Sequence, residues 1–164
     1  MGENHKRLFA FFKSAFDLTL AFHRQAGRDM AAVREVEQAV DDSYLQFVVK
    51  MNEEQLRPLI VKQVKHAFKA DINKHRAIVF FRTFNTLLTG MKEFFVPLLP
   101  LYFDKLLEIL VFLGDQQQET TAKRKRDHID FEADEKQQHT YYELLQLALE
   151  TLRLNFTHDT NSFI

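Results

Sequence analysis

The residues with chemistry to offer are few, and their spacing does not suit catalysis. Seven histidines stand at positions 5, 23, 66, 75, 128, 139 and 158. No two lie four apart with a carboxylate beside them, so the His-Glu-x-x-His zinc arrangement on one helix face is missing. The doublets Asp41-Asp42 and Glu53-Glu54 would work as acid–base pairs only if both carboxylates converged on one atom. Adjacent helical residues diverge instead, and both doublets sit where helix caps belong. Ser14, Ser43 and Ser162 lack the flanking glycines of a nucleophile elbow, and four dispersed glycines cannot cradle a phosphate. With no cysteine there is no thiolate nucleophile, no disulfide framework and no cysteine zinc site. The expectation is no enzyme, no metal, no cofactor and no small-molecule substrate.

Charge offers more. Between positions 57 and 82, Arg57, Lys62, Lys65, Lys69, Lys74, Arg76 and Arg82 face a single acid, Asp71. Lys62, Lys65 and Lys69 share one helix face by their three- and four-residue spacing. Such a stripe is a plain solvated face, a track for RNA phosphates or a contact for an acidic protein surface. No glycine–aromatic RNA-reading motif accompanies it, so an RNA contact here would read shape and charge. The candidate contact set is Lys62, Lys65, Lys69, Lys74, Arg76 and Arg82. A second cluster, Lys123-Arg124-Lys125-Arg126, is of the kind that import receptors read, or else it pairs with the acids at 127–135.

The elements that must position these groups are helical. The chain has 164 residues, 46% hydrophobic, enough for a sizeable core. Gly 4 and Pro 3 cannot punctuate an all-β fold, and Phe 17 predicts a core of large flat rings. Leu8, Phe9, Phe12, Phe16 and Leu20 predict a helix over 5–25, stopped by Gly27. Met30 to Val40 is a weaker segment, after which Asp41-Asp42-Ser43 offers cap oxygens to Tyr44–Val49. Asn52 caps a clear helix with Leu56, Leu59, Ile60 and Val64 inward and Pro58 near its first turns. Asp71 or Asn73 caps the next, with Phe80, Phe81, Phe84, Leu87, Leu88 and Met91 inward. Phe94 to Leu113 reads as a further helix, kinked at Pro97 and Pro100 and stopped by Gly114. Over 115–138 apolar periodicity vanishes, which predicts a charged flexible linker. A last helix covers about 139–156, and 159–164 reads as the lead-in to a further repeat.

The longest apolar run, Ile109 to Leu113, is far too short for a transmembrane span. The opening residues carry no apolar signal region. The expectation is a soluble helical chain with no membrane role. Segments 78–91 and 94–113 are apolar on more than one face, as in helices sandwiched between stacked repeats. The predicted fold is therefore all-α, antiparallel helix pairs stacked as a HEAT-type α-solenoid fragment. Residues 5–114 form the repeats, 115–138 the linker, and 139–164 the final helix with the start of a truncated repeat.

Particular residues also resemble a known family. Phe47-Val-Val-Lys-Met-Asn-Glu-Glu-Gln-Leu-Arg-Pro-Leu-Ile60 is similar to the C-terminal domain signature of the large HEAT-repeat U-three small nucleolar RNA-associated protein ten family. Further likenesses follow in order: Arg76 ahead of Phe80-Phe81-Arg82, then Leu87-Leu88, Lys92-Glu-Phe-Phe-Val-Pro97, Leu152-Arg-Leu-Asn-Phe156 and Asp159-Thr160 with Phe163. Where that family has Pro-Tyr-Phe, this chain has Pro97-Leu-Leu-Pro-Leu-Tyr-Phe103. The resemblance implies a non-enzymatic scaffold of the small-subunit processome in the nucleolus of the nucleus. It would act in early pre-rRNA processing towards small-subunit rRNA and in support of rRNA transcription. Implied partners are other processome subunits and the pre-rRNA leader or small nucleolar RNA. From the residues alone, a HEAT-type interaction or transport adaptor outside the nucleolus is the alternative.

Overall fold

The computed structural model describes residues 2–25, 29–69, 72–124 and 131–159, the side chains of 120–124 and 131–135 excepted. Six α-helices follow in order: α1 (Glu3–Arg24), α2 (Met30–Val48), α3 (Glu53–Ala67), α4 (Lys74–Met91), α5 (Phe103–Arg124) and α6 (Phe131–His158). Two 3₁₀ turns, Lys92–Phe94 and Val96–Leu101, separate α4 from α5. The fold is all-α, and the described residues contain no strand.

The helix starts follow local chemistry. Asn52 closes a capping box, its side chain accepting from the Gln55 amide at 2.9 Å while Gln55 accepts from the Asn52 amide. Asn73 caps α4 by accepting from the Arg76 amide at 3.0 Å. Asp71, the alternative cap, and Gly27, the expected stop of the first helix, lie outside the described residues.

Three boundaries differ from expectation. Residues 30–48 are one helix capped at Asp29, so Asp41-Asp42-Ser43 is not a cap. Asp41 tolerates a mid-helix place because its carboxylate accepts from Thr83 Oγ1 at 2.6 Å, across to α4. The expected helix from Phe94 is instead 3₁₀ up to Leu101. Pro97 and Pro100 have no N–H for an i→i−4 bond, and a tighter turn spares it. Finally, Gly114 does not stop α5, and residues 115–124 and 131–138, expected as linker, are helical. Gln, Glu, Ala, Lys and Arg form helix well without apolar periodicity, and one exposed glycine costs only about 1 kcal/mol.

Packing is organised around α4, which meets α1, α2, α3 and α6. Its buried residues, Ala77, Ile78, Val79, Phe80, Phe81, Thr83, Phe84, Leu87 and Leu88, cover most of its circumference. The second helices of successive pairs, α2, α4 and α6, run side by side and parallel: Glu37 meets Arg82 and Leu45 faces Gly90, while Arg82 meets Glu143 and Asn85 bonds the Leu147 carbonyl. Gly90 permits the close approach of α2, since a Cβ there would stand 2.5 Å from a methyl of Leu45. Aromatic rings fill the middle. Phe84 meets Phe80 at 4.1 Å, Tyr102 at 4.8 Å and Phe95 at 5.5 Å between centroids. Tyr102 donates to Asn155 Oδ1 at 2.9 Å and ties the entrance of α5 to the end of α6.

Phe81 and Phe84 are both fully buried, as expected. Truncating Phe84 to Ala should cost about 3–5 kcal/mol, read as a lowered urea midpoint with unchanged slope. A loss below 1 kcal/mol would show that the ring cluster is not the core.

Candidate functional site

The basic window does not survive as one surface. Lys62 and Lys65 are exposed on α3, away from its buried Leu56, Leu59, Ile60 and Val64; Lys69, expected on the same helix face, is exposed just beyond the helix, which ends at Ala67 with Phe68 as its C-cap. Lys74 and Arg76 are half-buried at the start of α4, and burial lowers the Lys74 pKa. Arg76 borders a small cleft of about 30 Å³ with Phe16, Asp17 and Leu20. Arg82 faces the interior. Its guanidinium bridges Glu37 of α2 and Glu143 of α6, so it is not a free cation for an outside partner. Of the other cluster, Lys123 and Arg124 lie in the last turn of α5 with side chains outside the description, while Lys125 and Arg126 lie outside the described residues altogether.

Charge in the interior is concentrated around Arg82. Glu37 pairs with it through Oε2 and with His23 of α1 through Oε1, and the side chains of Glu37 and His23 are 4% and 3% exposed. Glu143 also accepts from Arg34 at 3.2 Å. α1, α2, α4 and α6 thus each contribute a side chain to one charged cluster, in which Glu37 and Glu143 hold the guanidinium. Such a cluster roughly balances its desolvation cost while complete, but losing one member strands a buried charge.

Above this cluster, α2, α4 and α6 border an open groove of about 860 Å³. Its acids are Glu37, Asp41, Asp42, Glu143 and Glu150, against the cations Arg34 and Arg82, with Leu45, Leu147 and Leu154 as apolar floor. Burial drives the Asp41 carboxyl up to about 7, against partial relief from the Thr83 hydrogen bond.

Thr86, Thr89 and His139 line the groove beside these carboxylates, and among the described residues no group of three or more His, Cys, Asp or Glu is placed to hold a metal. No helix of the described residues is long and apolar enough to cross a membrane. Of the histidines, His66 contacts Asp17 at 2.9 Å, and His75 is half-buried with its pKa lowered chiefly by burial.

The sequence reading missed the Arg82 cluster, although the signal was present. Glu37 and Asp41 occupy the same helical stripe as the buried Val33, Tyr44 and Val48, where apolar residues belong. A charge at such a position needs a buried partner.

The family model described as BP28CT (NUC211) domain matches residues 1–164. The chain belongs to this family. BP28CT is a C-terminal domain found in nucleolar ribosome-biogenesis proteins, which gives this chain a nuclear setting and a role in ribosome biogenesis. No solved structure matches the BP28CT chain.

Two outcomes follow for this domain. Arg82→Ala should cost about 3–5 kcal/mol by taking from Glu37 and Glu143 the buried cation they share, leaving only His23 to the one and Arg34 to the other; Lys65→Ala, on the open face of α3, should stay within about 0.5 kcal/mol of wild type. Equal effects in urea unfolding would refute the division into interior and surface cations. Asp41 gives a pH test. Its pKa rises from the ordinary 3.8 unfolded to about 7 folded. Across that window the unfolded chain has released a proton that the folded chain keeps. Stability from this group therefore falls as pH rises through the window and is level above it. Relative to wild type, Asp41→Asn should gain stability by up to about 1.4 kcal/mol per pH unit in the window. A pH-independent difference would remove the raised Asp41 carboxyl from the account.

Proposed function

We propose that this BP28CT domain is a non-enzymatic scaffold segment of the small-subunit processome, acting in early pre-rRNA processing towards small-subunit rRNA and in support of rRNA transcription. The observation that carries the reading is the family match over residues 1–164. Its seat would be the nucleolus, with Lys123 to Arg126 serving import. The parallel layer of α2, α4 and α6 supports a HEAT-type stack in which each helix pair lies on the next. An interior whose polar groups are spent on holding helices together suits a scaffold.

Within that reading, Lys62, Lys65 and Lys69 are the residues offered to the pre-rRNA leader or a small nucleolar RNA, and other processome subunits meet the remaining faces. All three side chains are exposed, Lys62 and Lys65 on α3 and Lys69 just past its end. Binding through them would be weak, indifferent to sequence and steeply salt-dependent, with a log–log slope of about −2 for three single-strand phosphate contacts.

The test combines cells and solution. Replacing the domain in the parent protein with Lys62→Glu/Lys65→Glu/Lys69→Glu should cause pre-rRNA precursors to accumulate on a gel blot while the tagged protein stays nucleolar. In solution, the purified triple variant should keep wild-type stability and lose the shift of a leader fragment. Unchanged precursor levels after removal of the whole domain would sink the processing role. Wild-type domain that shifts no RNA at low salt would leave the stripe to a protein partner.

A further inference from the structure

The basic residues of α3 have neighbours on α1. Lys13, Asp17, Leu20 and Arg24 share one face of α1 by their three- and four-residue spacing, and Asp17 reaches His66 of α3 at 2.9 Å. Both helices run opposite to α4, and so alongside each other in one direction. On α1, Phe16 and Thr19 lie against Val79 and Arg82, while the charge of Arg24 adds to burial and to His23 in lowering the His75 pKa. Phe68, just past α3, packs on Phe80 early in α4, and α3 also meets the 3₁₀ turn beyond the end of α4. Lys13 and Lys62 therefore stand one turn before the Asp17–His66 contact, each on its own helix, with Arg24 and Lys69 beyond it.

This strip is basic without compensation. Lys13, Arg24, Lys62, Lys65 and Lys69 are exposed, and none has an ion pair among the described residues. The acids of the two helices are engaged or distant: Asp17 with His66, Glu3 with Lys6, Glu53 with Arg57, and Glu54 in the first turn of α3. Arg76 supplies a separate sign of a ligand. Its Nε is withdrawn from water and has no hydrogen-bond partner among the described residues, and it borders the cleft that Phe16, Leu20, Asp17 and His66 line. At about 30 Å³ that cleft has room for one oxygen atom. An unpartnered buried N–H is costly, and an anionic oxygen satisfies it with a charge-assisted bond.

We propose that the seam between α1 and α3, and not the outer face of α3 alone, is the track of a single RNA strand. Lys13 and Arg24 contact phosphates beside Lys62, Lys65 and Lys69, and Arg76 Nε donates to one phosphate oxygen entering the cleft. The inference rests on the RNA reading above and adds α1 and α4 to its site. The rise from Lys13 to Arg24 is about 16 Å. With the reach of the side chains, that suits about four nucleotides, the small end of single-strand sites. None of these residues offers a ring for bases to stack on, so the strand is held by its backbone. A phosphodiester carries one charge on every unit and oxygens that project from it, which recurring cations and a one-atom cleft can meet in any register. An acidic protein would need its carboxylates in one fixed order.

The test titrates a short, fluorescently labelled oligouridine with the full 164-residue chain and reads anisotropy. Wild type should bind saturably at low salt with a log–log salt slope of about −3, against about −2 for the three lysines 62, 65 and 69 alone. Lys13→Gln/Arg24→Gln should weaken binding about tenfold and flatten that slope. Lys50→Gln/Lys136→Gln makes the same charge change at exposed positions away from the seam and should leave affinity within about twofold. Arg76→Gln should also weaken binding about tenfold; Arg76→Lys, which keeps the charge and loses the Nε donor, should recover only part. Equal affinity in a folded Lys13/Arg24 or Arg76→Gln chain overturns the proposal. If Lys62→Glu/Lys65→Glu/Lys69→Glu has then abolished binding, the RNA reading stands without it. Should Arg76→Gln fail to unfold cooperatively in urea, the Lys13/Arg24 variant, exposed at both positions, decides. Equal losses in the seam and control pairs overturn the proposal as well. So does displacement of the RNA by an equally charged oligoglutamate at equal concentration, which would assign the seam to an acidic protein. Wild type that binds no RNA overturns both readings.

Discussion

Arg82 is one cation held between two acids from different helices, and the arrangement of the second-helix layer depends on that. The side chains of Glu37 and Glu143 are largely withdrawn from water, so losing the guanidinium between them would take away their shared cation at a buried place. The pairing is bidirectional and planar, and therefore fixes rotation and register as well as proximity. Apolar packing of α4 against α2 and α6 would tolerate a range of small slides. Two charged bonds aimed in opposite directions do not. The groove above them exists because the helices are held at that spacing, with Gly90 letting α2 approach at the far end.

This arrangement separates charge by layer. Cations near the start of α4 and within it are drawn into packing, whereas those on α3 remain outside. Linear sequence places all of them in one window, yet their accessibilities are opposite.

The fold was legible where apolar period and caps coincided, as at Asn52 with its leucine stripe or Asn73 ahead of the phenylalanines. It was illegible where helicity and burial part company. Residues 115–124 are helical yet show no apolar rhythm, because good helix formers need none. Asp41-Asp42-Ser43 misled for the converse reason: capping residues were read as boundary marks, while the tertiary partner Thr83 supplied Asp41 with what a cap would have given. The exposure of Lys62 and Lys65 on one face of α3 followed from their spacing, whereas Lys69 fell beyond the helix end because the chain leaves the helix after Ala67. The interior half did not, since Arg82 finds Glu37 45 positions earlier in the chain and Glu143 61 positions later, and no local pattern specifies either partner.

The bonds from α6 have a further meaning. Glu143 to Arg82, the Leu147 carbonyl to Asn85, Thr151 to Asn85 and Asn155 to Tyr102 recur along α6 every four residues, about one helical turn. They act as teeth of a rack: a slip by one tooth misaligns all of them together, so α6 has a single seat. Its position is then set by what it touches and hardly at all by the tether that delivers it, and loop closure costs grow only slowly with length. The seat of α6, and with it the shape of the groove it borders, is therefore decoupled from the length of chain that joins it to α5.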